Sequence, residues 1–193
     1  MKPNILIIDN YDSFTYNLYN MVKELGYSRI KVLRNDCPEV ADMETIDSFD
    51  KIILSPGPGI PSDAGFLKDI IMNYAPVKSM LGVCLGHQAI AEVFGAKLYN
   101  MASVYHGVST AVNVTNPHIL FEGMGNVFNA GRYHSWVVSP EGIPSVLEVT
   151  AQDDNGFIMA LRHRNYDVHG VQFHPESVLT PEGRFILNNW LNN

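Results

Sequence analysis

Cys84 sits in the stretch Gly82-Val83-Cys84-Leu85-Gly86, with a glycine two residues before it and another two residues after. An apolar run precedes it (80–83) and a segment of helical spacing follows (86–94). A G-x-nucleophile-x-G pattern between a strand and a helix forms an elbow so sharp that flanking side chains would collide. Glycine removes the collision and leaves the nucleophile strained at the mouth of a sheet. Unpaired N–H groups and the dipole at a helix N-terminus favour the thiolate there. The N–H of Leu85 would point towards a developing oxyanion. A cysteine after an apolar strand is also compatible with a small buried hydrophobe. On this stretch alone the two readings weigh about equally.

A thiol nucleophile needs a base, and the base benefits from a group that orients it. Residues 172–177, Gln-Phe-His-Pro-Glu-Ser, offer both. His174 ends an apolar run, which places it at the carboxyl edge of the sheet beside Cys84. Pro175 restricts the backbone between His174 and Glu176. The Glu176 carboxylate can accept one imidazole N–H and leave the other nitrogen facing the sulfur. The other histidines are His87, His106, His118, His134, His163 and His169. No pair among them has the spacing of an H-E-x-x-H site, so no metal is expected. Residues 55–59, Ser-Pro-Gly-Pro-Gly, are a third element. Their prolines lack N–H groups, which leaves Gly57 and Gly59 as donors for half of an oxyanion hole. Taken alone, the segment reads first as a tight turn.

These groups need a scaffold that brings strand ends together. Residues 5–8 form a short apolar run, and from Ser13 the period becomes helical, with Phe14, Leu18, Met21, Val22 and Leu25 on one face up to Gly26. Strands follow at 30–33, 52–54 and 80–83. Ser62 or Asp63 is expected to cap a helix running to Tyr74, and a further helix spans 86–94. This β-α-β alternation implies a parallel sheet covered on both faces. Beyond residue 96 the texture changes to alternation at 108–114 and to strands at 145–150 and 157–162, joined by turn residues 153–156. A strand at 168–173 leads to His174. Thr180 and Pro181 read as the cap and first position of a last helix. No linker interrupts the chain. The expectation is one domain over residues 1–193, an open and mostly parallel α/β sheet with an antiparallel, β-rich second half.

The 193 residues are 46% hydrophobic and 17% charged, enough for a sizeable core. The net charge of −7, without a basic run, argues against nucleic acid. No apolar stretch is long enough to span a membrane, and the first is too short for a signal sequence. Two cysteines, Cys37 and Cys84, make no disulfide framework. The cytoplasm is the expected compartment.

With these elements in hand, the chain resembles the class I (triad) glutamine amidotransferases, and more narrowly the small glutaminase subunits of anthranilate and aminodeoxychorismate synthases. The matching segments are 9–18, 55–65, 82–95, 105–107, 132–136 and 170–183. The resemblance implies Cys84 as nucleophile, His174 as base and Glu176 as the orienting acid. It implies Gly57 and Leu85 as oxyanion donors, and Gln88 as a contact to the substrate L-glutamine. Ser135 and Trp136 match a pair whose backbone holds the α-amino and α-carboxyl groups of that substrate. Residues 9–15 and part of 55–59 match the surface that meets a larger, chorismate-binding synthase. No cofactor is implied in this chain, and magnesium is implied at the synthase. Three positions depart from the family pattern: Val108 stands for a usual lysine, Ala96 for a glycine and Trp136 for a leucine. The function implied is glutamine hydrolysis with ammonia delivery for anthranilate formation. The alternatives are the folate-pathway counterpart, one chain shared by both enzymes, and a catalytically silent subunit.

Overall fold

The computed structural model describes residues 2–193, with the backbone alone at Met43. The first half alternates strands with helices: β1 (Ile5–Asp9), α1 (Thr15–Glu24), β2 (Ile30–Arg34), α2 (Pro38–Ala41), α3 (Met43–Asp47), β3 (Lys51–Leu54), α4 (Leu67–Tyr74), β4 (Ser79–Val83) and α5 (Leu85–Val93). The second half holds β5 (Leu98–Val114), β6 (Val127–Val138), β7 (Leu147–Gln152), β8 (Ile158–His163), β9 (Val168–Val171) and α6 (Gly183–Asn192). One nine-stranded sheet takes all the strands of the described residues, in the order β2-β1-β3-β4-β9-β8-β7-β5-β6. The strands from β2 to β9 run parallel. From β8 onward the pairings are antiparallel.

The period of two along β1 explains how the sheet is covered. Leu6 and Ile8 pack on one face with α4 and α5, through Leu67, Ile70, Leu85 and Ile90. Ile5 and Ile7 pack on the other with α1 and α6, through Leu18, Val22, Ile186 and Trp190. These four β1 side chains are completely buried, each contributing about 1.5–3 kcal/mol of transfer free energy.

Several boundaries differ from those read in the sequence. Ser62 and Asp63 do not start a helix. They lie in a 3-10 turn (Pro61–Asp63), and α4 begins only at Leu67. Between them Gly65 adopts φ +52°, and the Phe66 N–H is taken by the Asn35 carbonyl at 2.8 Å. The last helix starts at Gly183 rather than after Thr180. The Thr180 hydroxyl is engaged elsewhere, donating to the His174 carbonyl at 2.6 Å and accepting the Gly131 N–H at 2.9 Å. Strand β9 ends at Val171, so His174 stands on a loop rather than at a strand terminus. The alternation at 108–114 is the end of the much longer β5, and β6, α2 and α3 carry no clear signal in the sequence. Cys37 and Cys84 are both free thiols.

Candidate active site

Parallel pairing of β4 with β9 sets Val83 opposite Val171, so the segments that leave these strands emerge side by side. The Cys84 N–H donates to the Val171 carbonyl at 2.8 Å. Cys84 turns the chain with φ 50° and ψ −97° before α5 begins at Leu85. That conformation is rare outside glycine and costs of order 1–3 kcal/mol. Its flanking glycines are required by close approach. A Cβ on Gly82 would lie 2.5 Å from the Gly86 carbonyl carbon, and one on Gly86 would strike the Leu54 carbonyl. As the residue before the first turn of α5, Cys84 faces amides that have no partner within the helix.

His174 and Glu176 form a buried pair: Nδ1 lies 2.7 Å from Oε1, with the two side chains 2% and 0% exposed. The His174 N–H is tied to the Gly131 carbonyl at 3.0 Å. Nε2 is buried and makes no hydrogen bond of good geometry among the described residues. Burial opposes a charge on the ring, but Cys84 and Glu176 outweigh it and raise the His174 pKa to about 10. Two rings hold the imidazole edge-on, Tyr133 at 4.8 Å and Phe14 at 5.3 Å between centroids. Tyr133 is fixed in turn by a 3.0 Å hydrogen bond between its hydroxyl and Ser177 Oγ. None of Phe14, Tyr133, Ser177 or Thr180 was expected at the site, because ring contacts and loop-to-strand bonds leave no local pattern.

Glu176 supports the imidazolium both by its hydrogen bond and by its charge. Glu176→Gln removes one source of support for the imidazolium, so the His174 pKa falls. If His174 donates a proton to the leaving group, the alkaline limb of kcat should move to lower pH by about one unit. The loss in kcat should remain smaller than for His174→Ala. Equal losses from both changes, with circular dichroism unaltered, would show that Glu176 does more than orient.

Gly57 lies against the elbow: a Cβ placed on it would fall 2.7 Å from Leu85 Cδ2 and 2.6 Å from Asn10 Cβ. Asn10 binds the start of this loop, donating from its N–H to Ser55 Oγ at 2.9 Å and from Nδ2 to the Ser55 carbonyl at 2.8 Å. Gly59 occupies the exposed outer end of the loop at φ +74°, nearest Asp63.

Gln88, one turn into α5, reaches across to β6. Its Nε2 donates to the Trp136 carbonyl at 2.9 Å and to Gln172 Oε1 at 3.2 Å. Ser135 and Trp136 lie where the β5 ladder is interrupted. Pairing jumps from Asn100–Trp136 to Tyr105–His134, which leaves residues 101–104 bulged opposite Ser135. Such bulges re-aim groups beside functional sites. The Trp136 carbonyl also meets His134 Nδ1 at 3.1 Å. His134 Nε2 accepts from Arg132 Nε at 3.1 Å, and Arg132 Nη1 pairs with Asp153 Oδ2 at 2.6 Å. Burial and the neighbouring Arg132 push His134 down to about 3, so it is neutral. Burial likewise pushes His87 down to about 3.

A cleft of about 640 Å³ involves none of these groups; Val114, His118, Phe121, Met124 and Arg162 are among its lining residues. Among the described residues no cluster of three or more His, Cys, Asp or Glu could hold a metal ion. No helix among them is long and apolar enough to cross a membrane.

The family model Glutamine amidotransferase class-I matches residues 6–193. Aminodeoxychorismate synthase component 2 of Escherichia coli is 46% identical, over 97% of this chain and 99% of its own length. Anthranilate synthase component 2 of Mycobacterium tuberculosis is 45% identical, over 97% and 81% respectively. A Bacillus subtilis relative carrying both names, aminodeoxychorismate/anthranilate synthase component 2, is 44% identical over 97% and 95%. The crystal structure of a GMP synthase subunit from Thermoplasma acidophilum matches the fold with a TM-score of 0.86, over 100% of this chain and 94% of its own, at 24% identity. The chain belongs to the class I glutamine amidotransferase family.

Proposed function

We propose that this chain is the glutaminase subunit of a chorismate-aminating synthase, with anthranilate as the product. The observation that carries the reading is the strained Cys84 elbow beside the buried His174–Glu176 pair. The Cys84 thiolate attacks the side-chain amide carbon of L-glutamine. The N–H groups of Gly57 and Leu85 take the oxyanion, each worth on the order of 3 kcal/mol of barrier. His174 protonates the departing nitrogen, which leaves ammonia and a γ-glutamyl thioester. It then takes a proton from water to release glutamate. This sequence of steps calls for no cofactor. Gln88 Oε1 accepts no hydrogen bond from the described residues, which suits it to the ammonium of the substrate beside the Ser135–Trp136 backbone. Ammonia alone is a by-product, so a larger synthase consumes it, in the cytoplasm. The Escherichia coli and Bacillus subtilis relatives favour a second reading, service to aminodeoxychorismate synthase.

Mixing the chain with each kind of synthase partner, and following product from glutamine and chorismate, separates the two readings. Anthranilate fluorescence with only the anthranilate-type partner supports the first. Product with only the other partner, or with both, supports the second or a shared role. Failure of both, in complexes that form and use ammonium salt, would sink the proposal.

The isolated chain should be a poor glutaminase. Cys84 and His174 are only 5% and 2% exposed, and the loop with Gly57 lies beside the surface assigned to the partner. Docking would complete the oxyanion hole, and one missing donor lowers the rate by about 10²–10³. Steady-state kinetics should therefore show kcat lower by that factor without the synthase, with a smaller change in KM. Equal kcat in both states would refute it.

A further inference from the structure

We propose that Gln172 is a further catalytic residue of this amidotransferase, its side-chain amide holding negative charge on the Cys84 sulfur and fixing the direction from which that sulfur attacks. The proposal deepens the glutaminase reading and rests on Cys84 being the nucleophile. Gln172 is completely buried, and its Nε2 donates to Cys84 Sγ at 3.6 Å.

Which end of the amide faces the sulfur follows from the hydrogen bonds behind it. The Trp136 carbonyl can only accept, so Gln88 must present Nε2 to it. The second proton on that nitrogen goes to Gln172 Oε1. The opposite end of Gln172, directed at the thiol, is therefore its NH₂ group. The same carbonyl requires His134 to donate from Nδ1, which leaves Nε2 as the acceptor for Arg132. A network of hydrogen bonds thus runs from the buried Arg132–Asp153 pair through the carbonyl of Trp136, which accepts from both His134 and Gln88, to the nucleophile. Arg132 Nε, His134 Nδ1 and Gln88 Nε2 each have an acceptor already in place, so the Gln172 amide is held before any substrate arrives.

In the reaction Gln172 keeps its protons. Sulfur donates an electron pair to form the S–C bond, and the amide π electrons move to oxygen. As the carbonyl re-forms, the C–N bond breaks and its electrons leave with nitrogen, which takes its proton from His174. Gln172 holds the sulfur before attack and meets it again as the thioester breaks and sulfur regains its charge.

The test uses the full chain with Cys37→Ser, so that iodoacetamide reports on Cys84 alone, and the chain in complex with its synthase for kinetics. Gln172→Met keeps the bulk and removes the donor. A hydrogen bond to a charged group is strong enough that its loss should slow alkylation at pH 7 about tenfold. kcat for glutamine should fall by a similar factor, with KM within about twofold. Gln172→Glu places a carboxylate against the sulfur and should slow alkylation further, about a hundredfold; it carries the test if the Met variant does not fold. Alkylation within about twofold of the parent in either folded variant would overturn the proposal. So would a change confined to KM, which would place Gln172 in substrate binding through Gln88. If alkylating Cys84 in the parent left glutamine hydrolysis intact, the nucleophile assignment itself would fall, and that result is read without any Gln172 variant.

Discussion

In complex with its synthase, Cys84→Ser should lose glutamine-dependent product formation by at least about three orders of magnitude, while product from added ammonium salt persists. The hydroxyl has a far higher pKa than a thiol, and the site holds no base tuned to deprotonate it. The synthase needs only ammonia, whatever its source. Cys84→Gly should show the same division with a further signature. Position 84 has φ 50°, which glycine adopts freely, so relief of backbone strain should offset much of the loss of side-chain packing. The inactive glycine variant should therefore unfold at a temperature near that of the parent. Glutamine-dependent turnover near the parental rate in the serine variant would mean that the nucleophile lies elsewhere.

The second large effect is expected far from the thiol. Arg132 and Asp153 form an ion pair with side chains 0% and 3% exposed. The guanidinium also lies over the Tyr105 ring, 3.6 Å from its centroid. Asp153 Oδ1 accepts the N–H groups of Asn155 and Phe157 at 3.0 and 2.8 Å, which shapes the turn between β7 and β8. Asp153→Ala leaves Arg132 buried without its counter-charge and should cost about 3–5 kcal/mol. For a chain of this size that lowers Tm by about 10 °C. Because Arg132 holds His134, and His134 holds the Trp136 carbonyl, KM for glutamine should rise as well. The double variant Arg132→Met, Asp153→Leu should recover part of the stability but not the KM, since an apolar pair replaces the charges while the two turn hydrogen bonds stay lost and nothing fixes His134. A loss below about 1 kcal/mol for Asp153→Ala would show that water reaches the pair.

The elbow was legible in sequence because its requirements are local: two glycines, an apolar strand and a helix within a few residues. The His174–Glu176 pair was legible for the same reason, one proline apart. Errors arose where a local signal was overruled from a distance. Ser62 and Asp63 are good capping residues, yet the Asn35 carbonyl and the turn at Gly65 delay α4 to Leu67. Thr180 followed by proline looks like a helix start, but its hydroxyl serves Gly131 and His174. Strand β6 is not legible in the sequence because its buried positions include Arg132 and His134, which read as surface residues until Asp153 and the Trp136 carbonyl supply partners. Gln172 carries no signal of its own: its importance depends on Gln88 and Trp136, which only the folded chain brings to it.

Strand β6 closes one end of the sheet, paired with β5 on one side and, among the described residues, with no strand on the other. An unpaired row of amides and carbonyls is a template for another chain to add to. Here the loop that carries the base occupies part of that row, since His174 donates to the Gly131 carbonyl and Thr180 accepts the Gly131 N–H. The loop is thus also a guard against strand addition. Variants that loosen it, Thr180→Ala among them, would lose more than activity, because they would open a sticky margin for self-association. Solubility and catalysis therefore depend on the same few hydrogen bonds.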